Sequence, residues 1–564
     1  MTRLRRVRMW AALGAAVAMT LAGCTSSSHP AQSPRAKSVP ASGTEDMGRE
    51  PPGTLRQGGT LTLATSQWIT QYNVNQAAGT IGEALEIDSL VEPQLFRRDA
   101  KGVPHADPDY LLSASVTTSS PQTVTYRLNP HARWSDGKPL GVADFQAQWK
   151  ALGRGDDRYL VADPSGYDQI SDVRQGSGPG EVQVVFRSPY ADWQRLFDPL
   201  FPASATSTPE QFNDGWRARI PVTAGPFRIA SMDRTTQSVT AVPDPAWWGT
   251  KPRLDKVVFR ALLPAAALQA YLNGEIDAVN AATAEAYQQL KSAPNSTVRI
   301  GSAWDEVHVS LNGAGGPLQD VDVRHAVQQA VNKGALADVA AEGLPVGVPL
   351  LGNHIFMTNQ PGYADNSGQW GRFDPKAAER LLDRAGWTSP GTGKPRVKDG
   401  QTLKLRFVIA ESTNRLGLDL AQLLQQMLGQ VGITVEIQKV PADDYGPKYL
   451  DLGNFDLAIF RFTDLTYPSQ AQAIYRLPRG AQSFQNYGRI SDPVLDGLLK
   501  QASGTLDPAA AARLYNQADA EIWKLGHDVE LYQRPQLMAV RKGLANFGVA
   551  GLGDLDFAAV GWTK

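Results

Sequence analysis

The stretch RLGLDLAQLLQQMLGQVGITVEIQKV, residues 415–440, holds a helix, its stop and a strand in one run. Leu416, Leu420, Leu423, Met427 and Val431 recur at helical spacing, which predicts an amphipathic helix from about Arg415. Gly432 follows as the residue that closes a helix, and Ile433, Val435 and Ile437 then alternate as a strand. On the near side, Asp374-Pro375 opens another helix as N-cap and first residue, with Leu381, Leu382 and Ala385 on one face and Gly386 at its end. On the far side, Asp456 to Phe462 reads as a more apolar strand, suited to a sheet interior. Asp507-Pro508 caps one more helix, with Leu514, Ala518 and Ile522 inward. Earlier in the chain, residues 59–64, 123–128 and 182–186 alternate as half-buried strands. Helices alternating with strands predict α/β layers.

The whole chain has 564 residues, 42% hydrophobic and 20% charged, which calls for more than one core. Net charge is −1, and Arg3, Arg5, Arg6 and Arg8 stand in the acid-free first 23 residues, so the remainder carries −5. A mildly acidic body without a basic stripe argues against nucleic acid as a partner. The single cysteine, Cys24, excludes an internal disulfide and a cysteine-based zinc site. Seven scattered histidines form no HExxH, so no metal site or cofactor is expected. No GxSxG elbow occurs, and the glycine-rich scrap at 391–395 has Pro395 where a P-loop needs Ser or Thr. No catalytic residue is marked, and a binder is expected rather than an enzyme.

Residues 1–23 read as a signal peptide: a basic start, then an apolar run of 14 from Met9 to Ala22, too short to span a bilayer. Leu21-Ala22-Gly23-Cys24 resembles the lipobox of bacterial lipoproteins, which implies cleavage before Cys24 and acylation of its thiol. Residues 24–57 are rich in Ser, Pro, Ala and Gly, and are expected to form a flexible tether from a lipid anchor to an extracytoplasmic body.

Further motifs follow one another in a telling order. Trp134-Ser135-Asp136-Gly137-Lys138-Pro139-Leu140 with Asp144-Phe145 comes first, then Thr223-Ala224-Gly225-Pro226-Phe227 and Asp244-Pro245-Ala246-Trp247-Trp248-Gly249. Leu272 to Asp277, Val321 to Ala326, Ala330 to Lys333, Phe373-Asp374-Pro375 and Gly432-Ile433 complete the series. Together they resemble the family 5 extracellular solute-binding proteins, the dipeptide- and oligopeptide-binding lipoproteins of ABC importers, most of all the actinobacterial ones. Most of these pieces are turn and packing chemistry, as the Asp136-Gly137 turn illustrates. The resemblance implies an α/β fold, a two-lobed clamshell of the type II periplasmic-binding-protein class with an inserted subdomain. Lobe I would comprise 58–85, 221–301 and 534–564, the insert 86–220, and lobe II 302–533, with hinges near 300–310 and 530–538.

Ligand contacts are expected in the crevice between lobes, beyond the carboxyl ends of strands. Two segments qualify. After the first strand come Trp68, Tyr72 and Asn73, where the family has a Leu-Asp-Pro stretch; covering the core is an equal reading for the two aromatics. After the strand at 456–462, Arg461, Phe462, Thr463, Asp464 and Tyr467 precede Pro468. This resembles the family's Gly-Trp-x-x-Asp-x-x-x-Pro segment, whose Asp receives the ammonium of a bound peptide, with Phe460-Arg461 replacing Gly-Trp. The alternative for Asp464 is a turn-capping carboxylate. Arg461 could pair a ligand carboxylate or face outward. Tyr532, at the second hinge, completes the candidates.

The implied function is a monomeric peptide receptor, tethered through Cys24, that serves an ABC permease and its ATPase. Relatives of the fold also take oligosaccharides, nickel chelates or haem, and an aromatic cleft around Trp68, Trp304 and Trp370 would favour sugars. A regulator of lipoglycan assembly and a secreted hydrolase are further alternatives.

Overall fold

In the computed structural model the described residues are 45–564, apart from 154, 392–393 and 479–483. The signal segment, Cys24 and tether residues 25–44 lie outside them.

The helix read at 415 forms as Arg415–Gln430, its first turn closed by Asn414 Oδ1 accepting from the Gly417 N–H at 3.0 Å. Leu420, Ala421, Leu424, Met427 and Leu428 are its buried stripe, so Leu424 takes the place expected of Leu423. Helices Pro375–Arg384 and Pro508–Leu525 start at Asp374 and Asp507, whose carboxylates accept from the third helical N–H. Gly386 has φ +86°, the left-handed conformation that ends a helix without a Cβ penalty.

These helices flank a six-stranded sheet ordered Ala278–Asn280, Asp528–Arg541, Ser296–Leu311, Leu457–Thr463, Lys404–Ala410, Thr434–Val440. Lys404–Ala410 runs parallel to both of its neighbours. One face, carrying Val307, Val309, Leu311, Phe407, Val529 and Leu531, packs on helices that include Arg415–Gln430 and Pro375–Arg384. The other face presents Glu306, His308, Asp528 and Glu530, all buried, beneath His354, Asp519 and Tyr475.

Two long strands, Ser296–Leu311 and Asp528–Arg541, traverse the molecule. Their ladder runs from Ser296↔Arg541 to Ser302↔Pro535, breaks over residues 303–305, and resumes at Glu306↔Gln533. Val298, Ile300, Leu537 and Ala539 lie on one side of the break, in a core with helix Pro264–Leu272. Val307, Val309, Val529 and Leu531 lie on the other, in the lobe II core. The ladder is thus interrupted between two separately packed halves.

Lobe I carries the sheet Thr60–Thr65, Lys256–Ala261, Ser238–Pro243, Phe227–Asp233. Its core takes in Leu544, Phe547, Phe557 and Val560 from the chain's end. The insert is a four-stranded antiparallel sheet of its own (Leu111–Ser119, Gln122–Leu128, Glu181–Phe186, Ile170–Gln175). Rings of Tyr126, Phe145, Trp193 and Phe197 fill it. Ile87, Leu90 and Val91 of helix Gly82–Val91 pack into the lobe I core, so the insert begins later than residue 86.

The tether ends earlier than expected. Asp46 pairs with Val549 and Leu55 with Thr563, Met47 and Leu55 are buried, and the Arg299 guanidinium donates to the Met47, Leu544 and Phe547 carbonyls. Composition marked residues 45–57 as tether because few of them are apolar. Two buried side chains and edge pairing suffice to hold an extended segment, and neither is visible in composition.

Candidate functional site

The parallel strands Lys404–Ala410 and Leu457–Thr463 end beside the start of helix Arg415–Gln430. A cavity of about 310 Å³ lies there, with Arg461, Tyr532, Arg534, Tyr445 and Asn414 on its wall. It is beyond the carboxyl ends of the strands and next to the break in the long ladder, where ligand crevices of open α/β sheets form.

Charge is unevenly balanced on this wall. Arg461 pairs with Asp305 Oδ2 at 2.5 Å, and Arg534 stands 3.6 Å from the same oxygen. Asp305 Oδ1 is buried without a hydrogen bond. Two guanidiniums thus share the Asp305 carboxylate, with Asp464 a further charge acting on Arg461 and Asp305. Burial, together with the neighbouring Arg461, pulls the Arg534 pKa down. Burial lifts the Asp305 pKa, against the pull of both arginines. Tyr532 is buried and bounds the cavity; burial raises its hydroxyl pKa to about 12.

Asp464 sits at the turn just after the strand, with φ +57°, and its N–H donates to the Trp304 carbonyl at 3.0 Å. Its carboxylate makes no hydrogen bond or ion pair among the described residues, and the residue is exposed. Surrounding protein still strips enough water to raise its pKa. Arg98 opposes that rise, Asp554 adds to it and Arg461 opposes it. Arg98 is committed elsewhere: its Nε donates to Asp554 at 3.0 Å and its Nη1 to Thr466 Oγ1 at 2.9 Å. The left-handed backbone holds a free carboxylate at the strand exit.

The structure brings together Arg461 and Tyr532 on one cavity wall and sets Thr463 and Asp464 exposed at the strand's end. The remaining candidates are placed elsewhere. Strand alternation sends Phe462 to the opposite face from Arg461, where its ring stacks on His308 at 5.2 Å. Tyr467 borders a separate cavity of about 620 Å³ between the insert and helix Pro508–Leu525, with Val103, Phe356 and Tyr515. Trp68 is half-buried against the lobe I core. Tyr72 and Asn73 are 0% exposed, which corrects the expectation that they face ligand. The Tyr72 N–H donates to the Trp216 carbonyl at 3.1 Å, and Asn73 Nδ2 donates to the Phe212 carbonyl at 2.8 Å. Segment 205–216 covers this loop, and chain distance hides that cover from sequence reading. Trp304 is buried and Trp370 stacks on His325 at 3.5 Å, so Trp68, Trp304 and Trp370 line no common cleft.

Sequence reasoning did not single out Asp305, Arg534 or Arg98. The first two carried a signal, since each is a charge inside a long strand at an expected hinge. Arg98 carried none.

Residues 106–484 match the family described as bacterial extracellular solute-binding proteins, family 5 middle region. The oligopeptide-binding protein OppA of Mycobacterium tuberculosis is 35% identical over 557 residues, 97% of this chain and 92% of the relative. Among solved structures, the periplasmic EDTA-binding protein EppA superimposes with TM-score 0.84 at 27% identity, over 91% of this chain and 98% of that one. Bacillus subtilis AppA, an oligopeptide-binding protein solved with a nonapeptide, gives TM-score 0.74 at 18% identity, over 90% of this chain and 100% of that one, and shares the fold.

Proposed function

The chain belongs to family 5 of the bacterial extracellular solute-binding proteins, and from that premise we propose that it captures peptides outside the cytoplasmic membrane and delivers them to an ABC permease with its ATPase. The observation that carries this reading is Asp464, a carboxylate without a hydrogen-bond or ion-pair partner among the described residues, at a strand exit. A peptide's ammonium answers it, and the guanidiniums of Arg461 and Arg534 suit a peptide carboxylate or carbonyl dipoles. An extended backbone would supply most of the affinity through main-chain hydrogen bonds, with side chains in looser pockets. The near full-length similarity to a protein named oligopeptide-binding supports the same class of cargo.

The activity is binding and release without chemistry, by a monomer held to the membrane through acylated Cys24. No helix among the described residues is long and apolar enough to cross a membrane. In a chain processed to remove residues 1–23, replacing Cys24 with Ala should move the protein from the membrane fraction to the soluble one; a processed mutant that still pellets would end the lipoprotein reading. A metal–chelate cargo is the second reading, favoured by the likeness to EppA.

A thermal-shift panel separates the two. Protein unfolded, washed and refolded to remove carried ligand should gain stability from di- to decapeptides. The gain is about 2.7 kcal/mol at a ligand concentration roughly 100 times Kd. A shift with a metal–EDTA complex and none with any peptide would replace the peptide reading by the chelate one.

A further inference from the structure

On the buried polar face of the six-stranded sheet, three side-chain atoms converge and none completes a hydrogen bond: His354 Nε2, Asp528 Oδ1 and Glu530 Oε1. The residues are 2%, 2% and 1% exposed, and one ligating atom from each lies within 4.8 Å of the others. We propose that His354, Asp528 and Glu530 bind one divalent transition-metal cation, of the zinc type, inside lobe II. This site is separate from the ligand crevice, because it lies across the sheet from Val307 and Tyr532 and does not depend on the peptide reading.

The spacing suits a shared cation. His354 Nε2 stands 3.0 Å from Asp528 Oδ1, a contact that lacks hydrogen-bond geometry. Nitrogen and oxygen donors bound at about 2.0–2.2 Å to one tetrahedral Zn²⁺ are themselves roughly 3.3–3.6 Å apart, so this pair would open by a few tenths of an ångström to admit the ion. Asp528 and Glu530, two residues apart on one strand, project from the same side of the sheet. An imidazole with two carboxylates selects transition metals over Mg²⁺ and Ca²⁺, which favour all-oxygen sets.

The surrounding residues hold these groups as outer partners hold metal ligands. His354 Nδ1 lies 2.6 Å from Asp519 Oδ1, which puts a proton on Nδ1 and turns Nε2 toward Asp528 and Glu530, where a metal would replace the Nε2 proton. Asp519 is fixed in turn by the His354 N–H at 2.8 Å and by Asn366 Nδ2 at 2.7 Å. Asp528 Oδ2 accepts from His527 Nδ1 at 2.9 Å. The nearby ammonium of Lys333 is committed to the Leu351 carbonyl at 2.7 Å. Among the described residues no cationic side chain forms an ion pair with Glu530. Without a bound ion His354 is the counter-charge, since burial lowers its pKa but Asp528 and Asp519 outweigh that and raise it; Glu530 has no such partner among the described residues, and burying it is costly. A divalent ion balances the Asp528 and Glu530 charges, and it would clamp the segment around His354 to strand Asp528–Arg541 a few residues before the break in the ladder.

The test uses the untagged full-length chain, unfolded in guanidinium over a chelating resin and refolded with or without ZnSO₄. After desalting, elemental mass spectrometry should find about one zinc per chain, and the zinc-refolded protein should melt at the higher temperature. Glu530→Gln keeps the shape and removes a charge, so bound zinc should fall at least about tenfold. Asp519→Asn, an outer partner, should weaken zinc affinity about 10- to 100-fold. His105 and His131 are exposed and remain in both variants, so they report adventitious binding. If Glu530→Gln does not refold, Asp519→Asn and the wild-type stoichiometry decide alone. Wild-type protein that retains no zinc, cobalt, nickel or manganese overturns the proposal, as does zinc retained equally by wild type and variants.

Discussion

Two segments leave strands that have a parallel neighbour: residues 66–75 after Thr60–Thr65, and residues 464–468 after Leu457–Thr463. The first is stitched down, with Gln71, Tyr72 and Asn73 buried and each bonded to segment 212–216. The second turns through a left-handed Asp464 and leaves that carboxylate without a partner. Position at a strand end is thus common to both, and what separates a binding turn from a packing turn is whether the chain supplies its own cover. A carboxylate kept partly desolvated and unpaired adds nothing to folding, and this is the feature on which the proposed ligand role of Asp464 rests.

The largest expected effect tests the packed segment. Tyr72→Ala should cost about 3–5 kcal/mol of stability, as for other large aromatic truncations in a core, seen as a lowered denaturant midpoint. The Tyr72 hydroxyl is buried without a partner, so Tyr72→Phe should cost nothing. A stable Tyr72→Ala variant that loses peptide affinity would mean that this loop faces ligand after all. Asn73→Ala should cost about 1–3 kcal/mol by leaving the Phe212 carbonyl without its donor. The folded fraction should bind peptide as wild type does.

The smallest effect concerns pH. Burial raises the Asp464 pKa in the free protein, and a bound ammonium favours the ionised form, so binding releases protons whenever Asp464 is protonated. Peptide affinity should therefore fall as pH drops through that raised pKa, starting at a higher pH than for an ordinary aspartate. The limiting slope is about tenfold per pH unit. A C-terminally amidated peptide removes the ligand's own titration. A flat profile for wild type would place Asp464 outside the site.

Much of this was legible in the sequence, because local chemistry decided it. Asp374-Pro375 and Asp507-Pro508 start helices, Gly386 ends one, and the alternation of residues 60–65 matches their alternating burial. The turn at Asp464 was found through resemblance rather than pattern. What stayed hidden depends on contacts between segments distant in the chain. Asp528-Val529-Glu530-Leu531 alternates like a strand with one face in water, yet both faces are buried, since helix Pro508–Leu525 and the segment around His354 close over the charged side. Asp46 and Leu55 likewise find their backbone partners about 500 residues away, at Val549 and Thr563.

The central claim is that Asp464 receives the ammonium of a bound peptide. Calorimetry on four combinations tests it most directly: wild type and Asp464→Asn, each with a free-amine peptide and with the same peptide N-acetylated. Losing a charge-assisted hydrogen bond costs about 1.5–3 kcal/mol, or roughly one to two decades in Kd. Wild type should show that loss on acetylation, and Asp464→Asn should show it with the free peptide. The mutant should be nearly indifferent to acetylation, because both changes remove one interaction. Additive losses, or an acetylated peptide bound by wild type as tightly as the free one, would contradict the account.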